Sequence, residues 1–137
     1  MKYRWILQNW QRLQLVNYYR IMLDDKVKIL KAVAEKNRLR ILKLLKDDTL
    51  CVCEIRDIVN LATSTVSEHL KVLKEAGFVV EDKEGKWMNY RINRHPSNPV
   101  VTSILGMLDF WLEGEKEIKN DNSKRCCIER HQKNDNV

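Results

Sequence analysis

Glycine and proline are scarce in this chain of 137 residues, which contains four glycines and two prolines. No glycine-rich loop that could surround a phosphate group is present, and the cysteines do not form a C-x-x-C motif. An enzyme that works through a reactive cysteine usually needs one of these two frameworks. The sequence therefore argues against an enzyme.

Long hydrophobic runs are also missing. The apolar positions near the N-terminus are interrupted by Gln8, Asn9, Gln11, Arg12 and Gln14, which make this stretch too polar for a secretory signal or a membrane span. Without a secretory signal, the four cysteines indicate a reducing compartment, where thiols are more often ligands or sensors than disulfides. We therefore expect a cytoplasmic protein that does not bind membranes.

The overall charge is a weak guide to function. The formal charge is +6, but residues 1–21 hold four basic side chains and no acidic one, so the remaining residues carry 21 basic and 19 acidic groups. A nucleic-acid interpretation has to depend on where the charges lie. The hydrophobic content of 44% is enough for one modest core, and we expect one folded domain over residues 22–119.

Residues 1–21 precede this domain as an extra amphipathic segment. Three interpretations stay open: a helix that packs on a partner subunit, a helix that lies on an anionic membrane surface, or translation that begins at Met22. The apolar side comprises Tyr3, Ile6, Leu7, Trp10, Leu13 and Val16. No function is assigned to this segment.

The stretch from Leu50 to Leu73 predicts a helix-turn-helix with a thiol pair at its start. In its first half, Cys51 belongs to an apolar stripe that continues through Ile55, whereas Cys53 falls on the other face. In its second half, Val66 begins a buried stripe, and short hydroxyl and charged side chains project from the opposite side, as suits a DNA major groove. The expected DNA contacts are Thr63, Ser64, Thr65, Ser67, Glu68, His69 and Lys71. For His69, a hydrogen bond within the motif is an equal alternative.

The flanking segments predict a wing. Two helices precede the motif between Asp25 and Lys46, and their basic run from Lys36 to Lys46 is interpreted as a solvated surface rather than a phosphate contact. After Gly77, the β-prone runs 78–81 and 87–92 surround a polar turn at 82–86, which is typical of a β-hairpin. Lys83 and Lys86 at its tip are expected to contact DNA phosphate.

A long last helix is expected to begin at Pro99, capped by Ser97 or Asn98. Its apolar seam is longer than so small a core needs and is interpreted as a dimer interface. The expected interface residues are Ile104, Leu105, Leu108, Trp111 and Leu112. Residues 120–137 are expected to form a mobile tail that carries Cys126 and Cys127.

Four segments in this order carry a resemblance: AVAEKNRLRILKLL, LCVCEI, TSTVSEHLKVLKEAGFV and EGKWMNYRI. Over roughly residues 26–115 the chain resembles the ArsR/SmtB family of metal-responsive repressors, particularly its arsenic-sensing members. The resemblance implies a mainly α winged helix-turn-helix fold with a small β-hairpin, homodimeric through its first and last helices. It also implies a repressor that an inducer releases from operator DNA, with Cys51 and Cys53 as ligands.

The chain departs from the family patterns at three places. Arsenic sensors with this motif often have a third cysteine where Arg56 stands, and cadmium and lead sensors supply thiols from an N-terminal arm, whereas residues 1–50 contain none. Zinc and nickel sites on the last helix need Asp/His pairs, and Asp109 has no nearby histidine in the sequence. These departures leave the third ligand open.

The chemistry of the thiols adds a condition. Cysteines at i and i+2 of a regular helix point about 200° apart and cannot share an ion, whereas in an extended first turn they can. A helix N-terminus is expected to lower the thiol pKa, and the resulting thiolate favours binding of a soft ion.

As(III) or Sb(III) is the expected inducer, with Cd(II), Pb(II) or Zn(II) as alternatives. Cys126 and Cys127 are expected to supply missing thiolates. A thiol redox switch on the same scaffold is the rival hypothesis. An arsenate reductase is disfavoured because the chain has neither a glycine-rich loop nor a C-x-x-C motif.

Overall fold

The computed structural model describes Arg4 and residues 23–134, with side-chain environments as far as Ile128. The elements are α1 (Leu23–Val33), α2 (Lys36–Asp47), β1 (Leu50–Cys51), α3 (Val52–Val59), α4 (Thr63–Glu75), β2 (Val79–Glu84), β3 (Trp87–Ile92), α5 (Pro99–Leu112) and α6 (Lys116–Asn134). The fold is a winged helix-turn-helix, as the sequence predicts. The proposed N-terminal segment 1–21 lies outside the described residues apart from Arg4.

The helix-turn-helix consists of α3 and α4. Helix α3 ends at Asn60, which adopts left-handed backbone angles (φ 56°, ψ 52°) and allows the chain to turn. Each helix buries one stripe and exposes the other side, which confirms the predicted amphipathic patterns. The buried residues are Ile55, Ile58 and Val59 in α3 and Val66, Leu70 and Leu73 in α4.

The wing is an antiparallel hairpin of β2 and β3 in a three-stranded sheet of order β1-β3-β2. Strand β2 continues to Glu84, three residues beyond the predicted end, and the turn is reduced to Gly85 and Lys86. Gly85 has φ +59°, a conformation that glycine adopts at little cost. The sequence did not predict β1, which pairs Leu50 with Tyr90 and Cys51 with Asn89. A two-residue strand is too short to show an alternating pattern.

Helix α5 has two apolar faces. It starts as predicted, with the Asn98 side chain accepting a hydrogen bond from Val100 N (3.0 Å) and Pro99 at the first position. Ile104, Leu105 and Leu108 are buried within the single chain, so assigning them to a dimer interface was wrong. They recur at helical spacing on the face that packs on the core, and Leu112 is partly buried beside them. Trp111 is 52% exposed and lies on the second face.

The C-terminal segment is a helix where a mobile tail was predicted. Residues 116–134 form α6, and its Ile118 and Asp121 are buried. The polar composition concealed this helix, which forms ion pairs with α2 and buries Ile118. None of the helices that the structure describes is long and apolar enough to cross a membrane.

Helix α2 presents its basic residues to α5 and α6. Four basic side chains of α2 form ion pairs with these helices: Lys36–Glu117, Arg40–Asp121, Lys43–Asp109 and Lys46–Asp109. The prediction of a solvated basic surface is therefore wrong at Arg40, whose side chain is only 14% exposed. Acidic partners more than sixty positions later in the chain are invisible to a helical pattern read within α2.

Candidate thiol site and nucleic-acid interface

Cys51 and Cys53 lie where β1 passes into α3. Cys51 has extended backbone angles (φ −84°, ψ 167°) and immediately precedes the helix, whereas Cys53 lies in its first turn. The opposed directions of i and i+2 side chains apply only inside a regular helix. Because Cys51 lies outside the helix, this constraint is removed. The backbone has the extended start that a shared ion requires.

Both thiols line one open cleft between the start of α3 and the wing. Its lining residues are Thr49, Cys51, Cys53, Glu54, Glu84, Trp87 and Asn89. The Glu54 carboxylate accepts a hydrogen bond from Cys51 N at 2.8 Å and so holds the helix start in place. The cleft thus combines two thiols, a carboxylate that fixes their backbone and the side chain of an exposed tryptophan.

The Cys51 thiol titrates differently from the expectation. Burial raises the pKa of Cys51, and the negative charge of Glu54 adds to this rise. The predicted lowering of the pKa by the helix N-terminus is therefore wrong for Cys51. Loss of hydration of the half-buried thiolate raises the pKa more than the backbone hydrogen bond at the helix start lowers it. A raised pKa favours the thiol form of Cys51 over the thiolate.

The tail cysteines do not complete this site within one chain. Cys126 and Cys127 are exposed on α6, and all four cysteines are free thiols. Over the described residues, no group of three or more His, Cys, Asp or Glu side chains is arranged to hold a metal ion. Within one chain, Cys51 and Cys53 are the two cysteines that line the cleft.

Arg56 stands at the position of the missing third cysteine. Its guanidinium pairs with Asp57 (2.8 Å), and its Nη1 lies 3.5 Å from the Thr63 hydroxyl at the start of α4. The side chain therefore reaches from the thiol-bearing helix towards the recognition helix. A residue with these contacts connects the two helices and supplies no ligand.

The predicted DNA contacts form one exposed set with one exception. We define the recognition surface as the exposed residues of α4 and the wing: Thr63, Ser64, Thr65, Ser67, Glu68, Lys71, Lys83 and Lys86. His69 departs from it, because its side chain is 14% exposed and its Nε2 lies 3.8 Å from Glu35. Glu35 lies outside the helix-turn-helix, so this contact is neither the DNA contact nor the hydrogen bond within the motif that the sequence predicts.

Lys83 and Lys86 occupy different parts of the wing. Lys83 is in β2 opposite Met88, and Lys86 lies in the turn with its Nζ 5.6 Å from the centroid of the Trp87 ring. Both lysines are exposed. Lys86 lies in the turn as the sequence predicts, whereas Lys83 lies in β2 and not in the predicted turn.

Large apolar side chains are exposed on α1 and α5, which pack against each other. We define the apolar surface as Leu23, Val27, Leu30, Met107, Phe110 and Trp111, whose exposed fractions range from 41% to 73%. On each helix these residues recur at three- or four-residue spacing and so form one face. Exposed apolar faces of this kind usually mark an interaction site.

Two features of the site were missed from the sequence. Strand β1 joins Cys51 to Asn89 of the wing, and Trp87 stands two residues from Asn89, on the same face of the sheet. The sequence signal was an aromatic residue at the first position of a predicted strand. Only the register places that residue beside the thiols.

Comparisons with known proteins agree with this architecture. Residues 35–80 match the model of the bacterial regulatory protein family arsR. The arsenical resistance operon repressor of Bacillus subtilis is 32% identical over 98 residues, which cover 71% of this chain and 85% of that protein. The chain belongs to the ArsR family. This is a family of regulators and not of enzymes.

Two further relatives illustrate the match. The arsenical resistance operon repressor of Escherichia coli is 34% identical over 70 residues, which cover 50% of this chain and 60% of that protein. The chain thus matches three fifths of that repressor's length. The homodimeric winged helix-turn-helix DNA-binding domain from Mycobacterium bovis superimposes with a TM-score of 0.58 at 27% identity, covering 71% of this chain and 86% of that domain.

Proposed function

We propose that this ArsR-family chain is a cytoplasmic, homodimeric repressor that leaves operator DNA when As(III) or Sb(III) binds to Cys51 and Cys53. The observation that carries the proposal is the position of these thiols. They share a cleft at the start of α3, and α3 is joined to the recognition helix by a short turn. The arsenical resistance repressors among its relatives support arsenic as the inducer.

The proposed reaction balances without an oxidant. The two cysteine S–H groups condense with neutral arsenous acid: two S–As bonds form, two As–O bonds break, and two molecules of water leave. The third position on arsenic keeps a hydroxyl group or takes a small-molecule thiol. A partner subunit's tail cysteine is the other source of a third sulfur. A site that starts from thiols suits the raised pKa of Cys51.

Release from DNA follows from the backbone around Cys51. Drawing its sulfur towards Cys53 strains the hydrogen bond from Cys51 N to Glu54 and the pairing of Cys51 with Asn89. The first connection holds the start of α3, and the second holds the wing. Because a short turn joins α3 to α4, movement of α3 also moves α4, so one binding event displaces both α4 and the wing.

The apolar surface supports dimerisation through α1 and α5. A single recognition helix reads few base pairs, and a two-fold dimer doubles the site. Exposed Phe110 and Trp111 would be covered by the same residues of a second copy. Ile104, Leu105 and Leu108 face the core of the same chain and so lie behind this surface.

The decisive experiment compares the two cysteine pairs in release from DNA. The probe is a DNA duplex selected on the parent protein from a randomised pool. Cys51→Ser and Cys53→Ser should bind it normally and fail to release it with arsenite. The matched control is the double variant Cys126→Ser, Cys127→Ser, which should respond within about twofold of the parent if the third position is filled from solution.

Each other result has a defined meaning. Release by arsenite from the Cys51→Ser variant would refute the α3 site. A weakened response of the tail double variant would assign the third sulfur to Cys126 or Cys127. Parallel titrations with Cd(II), Pb(II) and Zn(II) rank the alternative ions. Release by peroxide in metal-free buffer, with arsenite ineffective, would favour the redox switch.

A further inference from the structure

The C-terminal end of α3 is held by side chains from two other helices. The last carbonyl groups of a helix have no partner within the helix and need other donors. Val59 O accepts a hydrogen bond from Arg40 Nη2 of α2 at 3.2 Å, and Ile58 O accepts one from Lys124 Nζ of α6 at 3.3 Å. Two cationic groups therefore hold the two residues before the turn.

Arg40 is itself fixed by α6. Its Nε donates to Oδ2 of Asp121 and its Nη2 donates to Oδ1, both at 2.8 Å. Its Nη1 donates to Asn37 Oδ1 at 2.9 Å. Asp121 is the one polar residue among those described that is fully buried, at 1% exposure. A bidentate ion pair of this kind fixes the plane of the guanidinium group. The position of Arg40 at Val59 therefore depends on Asp121.

These contacts lie next to the turn that sets the recognition helix. Asn60 follows Val59 directly and has the left-handed conformation, and Thr63 begins α4 three residues later. Helix α4 has no side-chain cap, because Ala62 occupies the capping position. The orientation of α4 therefore depends on how firmly the end of α3 is held.

We propose that α6 positions the recognition helix for DNA, with Asp121 and Lys124 as positioning residues. Asp121 acts through Arg40 on Val59, and Lys124 acts directly on Ile58. This inference rests on the proposed operator binding and adds a second input to it, at the end of α3 opposite the thiols. The free domain then presents α4 in one orientation and loses less conformational entropy when it binds.

The experiment uses full-length dimers and the duplex selected on the parent protein. Asp121→Asn keeps the shape of the side chain and removes its charge, and Lys124→Met removes the donor to Ile58. The matched control is Glu117→Gln. It breaks the exposed ion pair between Lys36 of α2 and Glu117 of α6, which makes no contact with α3. We expect Asp121→Asn and Lys124→Met to lower affinity about tenfold each and Glu117→Gln to leave it unchanged.

Two further readouts separate positioning from other roles. The dependence of affinity on salt should keep the parent's slope in Lys124→Met, because a lost phosphate contact would reduce the slope by about one. Hydrogen exchange in the free Asp121→Asn variant should accelerate at Asn60 to Ser67 and not at α5. Uniform acceleration through the domain would show general destabilisation and would overturn the proposal.

The outcomes distinguish this inference from the proposed function. If the parent enriches no duplex, the proposed operator binding fails and this inference with it. If the parent binds and both variants bind as tightly as Glu117→Gln, only the role of α6 is refuted. If Asp121→Asn does not fold, Lys124→Met decides alone, by a loss of affinity at constant salt slope or by no loss.

Discussion

The recognition surface and the apolar surface are both exposed, yet they differ in what they need from a partner. The recognition surface consists of hydroxyl, carboxylate and ammonium groups, which water solvates well. The apolar surface leaves Phe110 73% exposed and Trp111 52% exposed. The first surface is well hydrated without a partner, whereas covering the second lowers the free energy of the system.

This difference indicates two kinds of association. A polar surface that binds a polyanion depends on ion release, so its affinity falls steeply with salt. An apolar surface that binds a second copy depends on the removal of water from hydrocarbon, which salt affects far less. The surfaces proposed for DNA binding and for dimerisation thus differ in their positions on the chain and in physical character.

The largest expected effect is on the recognition surface. Ser64→Asp should lower affinity for the selected duplex by roughly 100-fold or more, because a carboxylate is placed against phosphate. Ser67→Asp should behave alike. Fold and dimer should be retained, because both serines are exposed. Ser123→Asp makes the same charge change on α6 and should bind normally.

Affinity and circular dichroism measured together check this prediction. A loss of helical signal in Ser64→Asp would show that the serine supports the fold instead of the DNA contact. Equal losses in Ser64→Asp and Ser123→Asp would mean that any added negative charge is sufficient. Either result would contradict the prediction that Ser64 of α4 contacts DNA.

The second expected effect is on the apolar surface. Trp111→Glu should yield folded monomers that bind DNA poorly, because the dimer would bury an unpaired carboxylate. Sedimentation velocity measures this directly. Trp87→Glu is the matched control, since Trp87 is equally exposed, at 55%, but lies on the wing. A dimeric Trp111→Glu variant would place the interface elsewhere.

Much of the fold follows from the sequence because the buried stripes of α3, α4 and α5 repeat at helical spacing. The hairpin follows because a change of period surrounds a glycine-containing turn. Helix α6 could not be predicted in this way, since its docking depends on Asp121 meeting Arg40 across eighty-one positions. Patterns within one segment carry no information about such pairs.

The site was only partly predictable for similar reasons. The thiols were found from their spacing and their place before the helix-turn-helix. Which apolar residues of α5 face outwards was not found, because both of its faces are apolar. The approach of His69 to Glu35 was not found either, because Glu35 lies at the junction between α1 and α2. Tertiary contacts decide each of these assignments.

A smaller effect is expected at the wing. Lys83→Ala and Lys86→Ala should weaken binding to all DNA sequences alike and should each reduce the salt slope by about one. Lys119→Ala removes an exposed lysine from α6 and should leave the slope unchanged. Titrations at several salt concentrations give the slopes, and a parent slope in both wing variants would place the wing off the DNA.

The smallest expected effect concerns the support behind the apolar surface. Asp109 precedes Phe110 on α5 and pairs with Lys43 and Lys46 of α2. These two lysines lower the pKa of Asp109. The stabilisation is therefore present above the ordinary carboxylate pKa of about 4 and is lost as pH falls through the lower, folded value.

Asp109→Asn should consequently reduce the free energy of unfolding slightly at pH 7, and this difference should disappear as the pH falls through the folded-state pKa of Asp109. The effect is small because the Asp109 side chain is 58% exposed and solvent screens the pair. Urea unfolding across this pH range measures it. In a Lys43→Met, Lys46→Met background the same substitution should lose its pH dependence. A pH-dependent difference that persists there would mean that groups other than these lysines stabilise the Asp109 carboxylate and hold α5 in place behind the apolar surface.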